Sequence, residues 1–185
     1  MTTRSEFLKR SVKLVSGALA TALDSKILEE IRAIPISIFP PGAVSDFTSV
    51  CTACGDCLPV CPEQAIKIEI DELSGKLLPR IQPSKAACTM CQDTPCISAC
   101  KIGALIEDQN QTFPEIGLAI VNKTTCMAHN GNACLVCYDA CPMKRSALKM
   151  KLNRPVIDSD ICTGCGVCEY VCIIEGEKGI KIEAL

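Results

Sequence analysis

The sequence predicts an α+β fold. Short β-hairpins and short helices repeat in tandem as cysteine-bearing modules, behind an N-terminal amphipathic helix. Three observations carry this. Sixteen cysteines in 185 residues fall into four groups of four, with none left over. The first members, Cys51, Cys88, Cys126 and Cys162, recur every 36 to 38 residues, an internal repeat. After each group comes a short stretch of alternating apolar and polar residues, the period of a half-buried strand.

The N-terminal segment precedes the first cysteine. Leu8, Val12, Val15, Leu19, Leu23, Ile27, Ile31 and Ile34 stand three or four residues apart, the stripe of an amphipathic helix, with Lys9, Lys13, Glu29 and Arg32 off it. No apolar run reaches the length that spans a bilayer, so no transmembrane helix is expected. Thr3 to Lys9 is similar to a twin-arginine export signal in which Ser5 replaces the second arginine, and Ala18-Leu19-Ala20 or Ala20-Thr21-Ala22 could be cut. The stripe runs past those sites, which suits a helix docked on a partner. A helix lying on a membrane surface is a third reading, weakened by Glu29 and Glu30. Residues 1–40 therefore read as a leader-like or docking helix that ends in an extended linker at Pro40-Pro41-Gly42. Residues 41–185 read as one domain of four repeat units.

Each unit has the same predicted parts. A cysteine loop enters a short helical turn at its third and fourth cysteines. A strand follows, at Ala65–Ile70, Ala104–Ile106, Ala147–Met150 and Gly179–Ile182. A second strand returns, at Leu77–Gln82, Leu118–Asn122 and Pro155–Asp158, past turn residues such as Gly75. The units are expected to be paired strands with cysteine loops at their ends. Gly55, Gly164 and Gly166 lie in the loops, where the backbone must turn tightly and aim N–H groups at sulfur.

The spacing names the chemistry. Cys51, Cys54, Cys57 and Cys61, like Cys162, Cys165, Cys168 and Cys172, read C-x2-C-x2-C-x3-C, the pattern by which bacterial ferredoxins hold 4Fe–4S clusters. The inner groups, Cys88, Cys91, Cys96, Cys100 and Cys126, Cys134, Cys137, Cys141, are variants with one longer gap. Four clusters need sixteen thiolates, and the chain supplies sixteen. Pro62 and Pro142 follow the fourth cysteines of groups one and three, as in ferredoxin repeats, whereas Lys101 and Ile173 stand at the other two places. In a two-cluster unit the fourth cysteine of one group serves the partner cluster. A nested arrangement gives the more compact domain. It joins Cys51, Cys54 and Cys57 to Cys172, and Cys162, Cys165 and Cys168 to Cys61. It likewise joins Cys88, Cys91 and Cys96 to Cys141, and Cys126, Cys134 and Cys137 to Cys100. Pairing group one with two and three with four is the simpler alternative.

Composition agrees with a metal-built interior. There is no Trp, with only two Tyr and four Phe, so the large rings that usually fill cores are scarce. The formal charge is −2 before clusters are counted. Four thiolate-bound cubanes would take it to roughly −10, which argues against nucleic acid as a partner. Disulfides and zinc both fit the overlapping C-x2-C runs less well than a cubane does. An enzyme is disfavoured: a catalytic cluster needs an open iron, yet all sixteen cysteines sort into quartets, and His129 is the only histidine. His129 reads as an exposed loop residue or a hydrogen-bond donor to sulfur. Glu175, Glu177 and Lys178 read as solvated surface.

Several motifs together resemble the NapG/MauM family of ferredoxin-type proteins. They are Pro40-Pro41-Gly42-Ala43 with Phe47 and the first cysteine group, Cys88 to Cys96, Gly117-Leu118-Ala119 leading to Cys126 with its seven-residue gap before Cys134, and the fourth group without a following proline. The resemblance implies an electron-transfer subunit with four 4Fe–4S clusters. It would relay electrons between a membrane quinol-oxidising partner and a terminal redox enzyme, membrane-associated on the periplasmic face. The alternatives are a cytoplasmic electron-transfer subunit of a molybdopterin oxidoreductase or hydrogenase complex, keeping its N-terminal helix, and a structural metal-binding module. Clusters that replace a core should also hold the fold. Stripping the metal with a chelator under oxidising conditions is therefore expected to abolish the circular-dichroism signature of the folded chain and expose it to protease.

Overall fold

The computed structural model describes residues 37–71, 74–107 and 113–184. The N-terminal helix expected before residue 35 lies outside them. The described chain is an α+β assembly of six short strands and four one-turn helices. The strands are β1 (Ile66–Ile70), β2 (Leu77–Ile81), β3 (Leu118–Val121), β4 (Leu148–Lys151), β5 (Arg154–Ile157) and β6 (Ile180–Glu183). The helices are α1 (Phe47–Val50), α2 (Pro95–Ser98), α3 (Val136–Ala140) and α4 (Val167–Tyr170).

The helical turns at the third cysteines are real in three groups, since Cys96, Cys137 and Cys168 lie in α2, α3 and α4. The first group has only turns there. Pro95 starts α2, where its missing N–H costs nothing. β1 and β2 form the predicted hairpin, with Ile66 opposite Ile81 and Ile70 opposite Leu77. β4 and β5 form the other, with Leu148 opposite Ile157.

The remaining strands do not pair as consecutive hairpins. β3 pairs antiparallel with β6, Leu118 opposite Glu183 and Val121 opposite Ile180. The segment around Leu105 turns back to Ala43, tied by Val44 N–H to Ala104 O at 3.1 Å and Ile106 N–H to Gly42 O at 2.8 Å. The chain thus folds in two halves of like plan, residues 37–107 and 113–184. In each, a hairpin sits between two cysteine groups, and the two ends of the half close on each other. Local alternation marks a strand but is silent about its distant partner.

One glycine makes each closure possible. A Cβ on Gly117 would lie 2.6 Å from Glu183 O and 2.7 Å from Ile182 Cγ2. A Cβ on Gly42 would strike the Ile106 backbone, and Gly42 also has φ +77°.

The stretch read as an extended linker is instead part of the packed structure. Pro40 and Pro41 are fully buried, and Ile38 bridges Ile81 through two 2.8 Å backbone hydrogen bonds. Arg80 straps this stretch down. Its guanidinium lies 4.0 Å from the centre of the Phe39 ring, donates to Ser37 O at 3.3 Å and pairs with the carboxylate of Asp71. Asp71 also accepts from the Ser74 hydroxyl (2.6 Å) and amide (2.9 Å), which closes the β1–β2 turn. These Ser74 bonds, with Arg80 beside them, hold its carboxyl below the usual range.

A single apolar cluster joins both halves. It contains Ile38, Phe47, Ile66, Ile81, Leu105, Leu148, Ile180 and Ile182 together with Cys57, Cys96 and Cys168. Cysteines serve as core residues here. Truncating Ile182, which is wholly buried in the closing strand, to alanine is expected to cost about 2–5 kcal/mol in denaturant unfolding. Leu152→Ala, at a side chain 95% exposed, should change stability by less than about 0.5 kcal/mol.

Candidate metal centres

Four sets of thiols come together, each built from both cysteine groups of one half. Site I is a hollow lined by Cys51, Cys54, Cys57 and Cys100, walled by Phe47, Pro79 and Leu105. Site II is lined by Cys61, Cys88, Cys91 and Cys96, walled by Ile66, Ile81 and Phe113. Site IV is lined by Cys141, Cys162, Cys165 and Cys168, walled by Leu148, Ile157 and Ile182. Site III follows from the surroundings of Cys137, whose thiol neighbours are Cys134, Cys126 and Cys172.

The nested arrangement is therefore overturned. Cys61 stands with Cys88, Cys91 and Cys96, not with Cys162, Cys165 and Cys168. Cys100 joins Cys51, Cys54 and Cys57, while Cys141 joins group four and Cys172 joins group three. The reason is topological. A hairpin of two five-residue strands returns group two alongside group one. The contact of Ala43 with Leu105 then shuts that half, and β3–β6 shuts the other. Each half closes on itself, so thiols are exchanged within halves.

Backbone conformation shapes the loops. Ala53, Met90 and Gly164 each precede the second cysteine of a Cys-Thr-x-Cys segment, and all three are left-handed, with φ of 55°, 58° and 69°. Only Gly164 announced this in the sequence; Ala53 and Met90 adopt it without glycine's licence. Such turns aim amides at sulfur. Ala53 N–H lies 3.4 Å from Cys51 Sγ, and Leu105 N–H 3.3 Å from Cys100 Sγ. Other backbone amides act on Cys88, Cys96, Cys141 and Cys165.

Electrostatics test whether a metal core fits. Burial pushes the Cys57 and Cys88 thiols up to about 12, and neighbouring thiols add to the rise. Burial likewise lifts Cys96 and Cys137 to about 11. Left to themselves these groups keep their protons at neutral pH, because several thiolates cannot share a dry hollow. A polynuclear iron core would take the place of those protons, and it suits the all-sulfur donor set. Among the described residues no three His, Cys, Asp or Glu side chains converge on a point that would grip one metal ion. The quartets of sites I, II and IV surround a space instead.

Two polar residues sit otherwise than read. His129 is half-buried, with Nε2 3.4 Å from Pro155 O, so it ties its loop to β5 and touches no sulfur. Lys178 is not free in solvent. Its ammonium donates to Cys172 O at 2.6 Å, which places a positive charge beside site III. Its isolation among acidic neighbours gave no sign of this in the sequence.

Comparison with known proteins agrees with the geometry. The chain is 32% identical to the "Ferredoxin-type protein NapG" of Escherichia coli (strain K12) over 97% of its own length and 84% of that protein's. It is 31% identical to the "Methylamine utilization ferredoxin-type protein MauM" of Methylorubrum extorquens over 97% of its length and 88% of that protein's. The chain belongs to the NapG/MauM family of ferredoxin-type proteins. Membership makes it an iron–sulfur protein of electron transport. A "4Fe-4S dicluster domain" family matches residues 50–104, which hold cysteine groups one and two of this NapG/MauM chain as one unit. A shorter likeness, 32% over 51% of the chain, is to the "Aliphatic sulfonate oxidoreductase, polyferredoxin-like subunit" of Pyrococcus furiosus. No solved structure matches.

Cys61→Ser distinguishes the two pairings in solution. The expected loss is the centre built on Cys88, Cys91 and Cys96, with the other centres retained. Loss of the centre built on Cys162, Cys165 and Cys168 would restore the nested arrangement.

Proposed function

We propose that the sixteen cysteines hold four 4Fe–4S clusters, one in each quartet. On this reading the protein relays single electrons between a membrane quinol-oxidising partner and a terminal redox enzyme. The observation that carries it is the division of sixteen thiols into four separate quartets with none unassigned. A bound cubane supplies a one-electron couple at each site; the chain supplies everything else. Its thiolates anchor the iron, its left-handed loops aim amides at sulfur, and Phe47, Ile66, Ile81, Leu148 and Ile182 keep water from the inner walls. Amides and the Lys178 charge favour the reduced form, whereas the neighbouring thiolates oppose it.

The relay role rests on family resemblance. So does a place at the membrane, on the periplasmic face. Among the described residues no helix is long and apolar enough to cross a membrane. The Pyrococcus furiosus relative is named as a subunit of an oxidoreductase, which supports reading this chain also as one subunit of a larger redox complex. No side chains are arranged for acid–base or nucleophilic work at the described sites, and no catalytic role is proposed.

Protein purified without air is expected to carry about sixteen iron atoms and sixteen acid-labile sulfides per chain. It should give paramagnetic signals after dithionite, and capture a quinol-oxidising subunit from solubilised membranes. A folded, colourless protein containing zinc would refute the cluster assignment. Full iron content without such a subunit would leave the clusters standing and remove the quinol partner.

A further inference from the structure

Besides the shared apolar cluster, the two halves touch through their cysteine loops, where site II meets site IV. Cys88 N–H, in the site II loop, donates to Cys165 O, in the site IV loop, at 2.9 Å. Beside it, Thr163 Oγ1 lies 3.4 Å from Met90 Sδ. Gly166 sits so close to Pro83 that a Cβ there would lie 2.7 Å from the proline Cβ. These contacts come from the cysteine loops themselves, not from the strands.

The thiols show the same adjacency. Cys57 of site I has Cys96 of site II among its neighbours. Cys88 of site II has Cys165 of site IV. Cys168 of site IV has Cys137 of site III. The contacts between sites therefore run from I to II, II to IV and IV to III.

We propose that the four centres form a single file in the order I–II–IV–III, and that the Cys88–Cys165 backbone hydrogen bond is the crossing between the halves. This rests on the four-cluster reading above. Sequence order would instead place II next to III. In single file, I and III are the ends where redox partners exchange electrons with the chain. Site I includes Cys54, the one cysteine among the sixteen that is exposed. Site III carries the Lys178 charge on Cys172 O. At each hop one electron leaves one centre and enters the next. The donor is oxidised and the acceptor reduced by one unit, with no proton or further reactant.

The order is read from magnetic coupling in the full-length holoprotein. Adjacent reduced centres broaden and split each other's paramagnetic signals; distant ones do not. In Cys54→Ser/Cys134→Ser, which keeps only sites II and IV, full dithionite reduction should give coupled signals. In Cys91→Ser/Cys165→Ser, which keeps only I and III, it should give two uncoupled ones. Either result reversed overturns the order. Single variants answer the same question if a double variant does not hold its expected eight or so iron atoms. Cys165→Ser should leave one isolated signal, from site III, whereas Cys134→Ser should leave none. An isolated signal in Cys134→Ser, or its lack in Cys165→Ser, would equally overturn the order. Iron content of the wild type tests the cluster assignment separately: a chain with about sixteen irons but the wrong coupling pattern keeps its clusters and loses only their order.

Discussion

Each half of this protein is held by an exchange of one thiol. The fourth cysteine of a group leaves its own loop and completes the set of the neighbouring group, so Cys61 serves site II and Cys100 serves site I. Neither site can be complete unless the hairpin between them has already returned the chain. Completing the thiol sets and pairing the strands are consequently coupled. The same exchange operates in the second half through Cys141 and Cys172. This coupling explains how a chain with so few aromatic rings keeps a defined interior. Cys57, Cys96 and Cys168 stand in the apolar cluster where larger side chains would otherwise be needed, and metal ligation contributes the free energy that ring burial supplies elsewhere.

The demands of the exchange appear in small backbone details. Closure of each half needs two backbones in near contact, and glycine stands at both places, Gly42 and Gly117. The Cys-Thr-x-Cys loops need a left-handed residue to turn amides inward, and they take it at Ala53 and Met90 despite the cost to a residue with a side chain. Burial that raises the thiols toward 11 or 12 keeps them protonated until a metal takes the place of the protons. The features that would strain an ordinary domain are the ones that prepare these hollows for a metal core.

The halves share an apolar cluster built largely on strands, and they also touch through their cysteine loops. Loop contact brings the centres of different halves together, as at Cys88 and Cys165. On the proposed order, that contact would make one conductor of two self-closed units. The stretch before the first cysteine group also belongs to this body. Arg80, stacked on Phe39 and paired with Asp71, holds residues 37–39 against the first hairpin.

The chemistry was legible in the primary structure because thiolate spacing is a local property. A cubane dictates how far apart its nearest ligands may lie along the chain, and the sixteen cysteines were picked out on that ground. The hairpins β1–β2 and β4–β5 were legible too, since their strands are separated by a few turn residues and alternate with period two. Other features depended on contacts between residues far apart in sequence. Nested and sequential exchange use identical spacings, and only the closure of Ala43 on Leu105 and of β3 on β6 selects between them. Pro40-Pro41-Gly42 reads as a spacer until the groove that buries it exists. Lys178 looks solvated until Cys172 presents its carbonyl. Local spacing thus determined what is bound, and the tertiary structure decided which thiols share a centre and which centres touch. Ligand geometry is set over a few residues, but adjacency is set by how strands close.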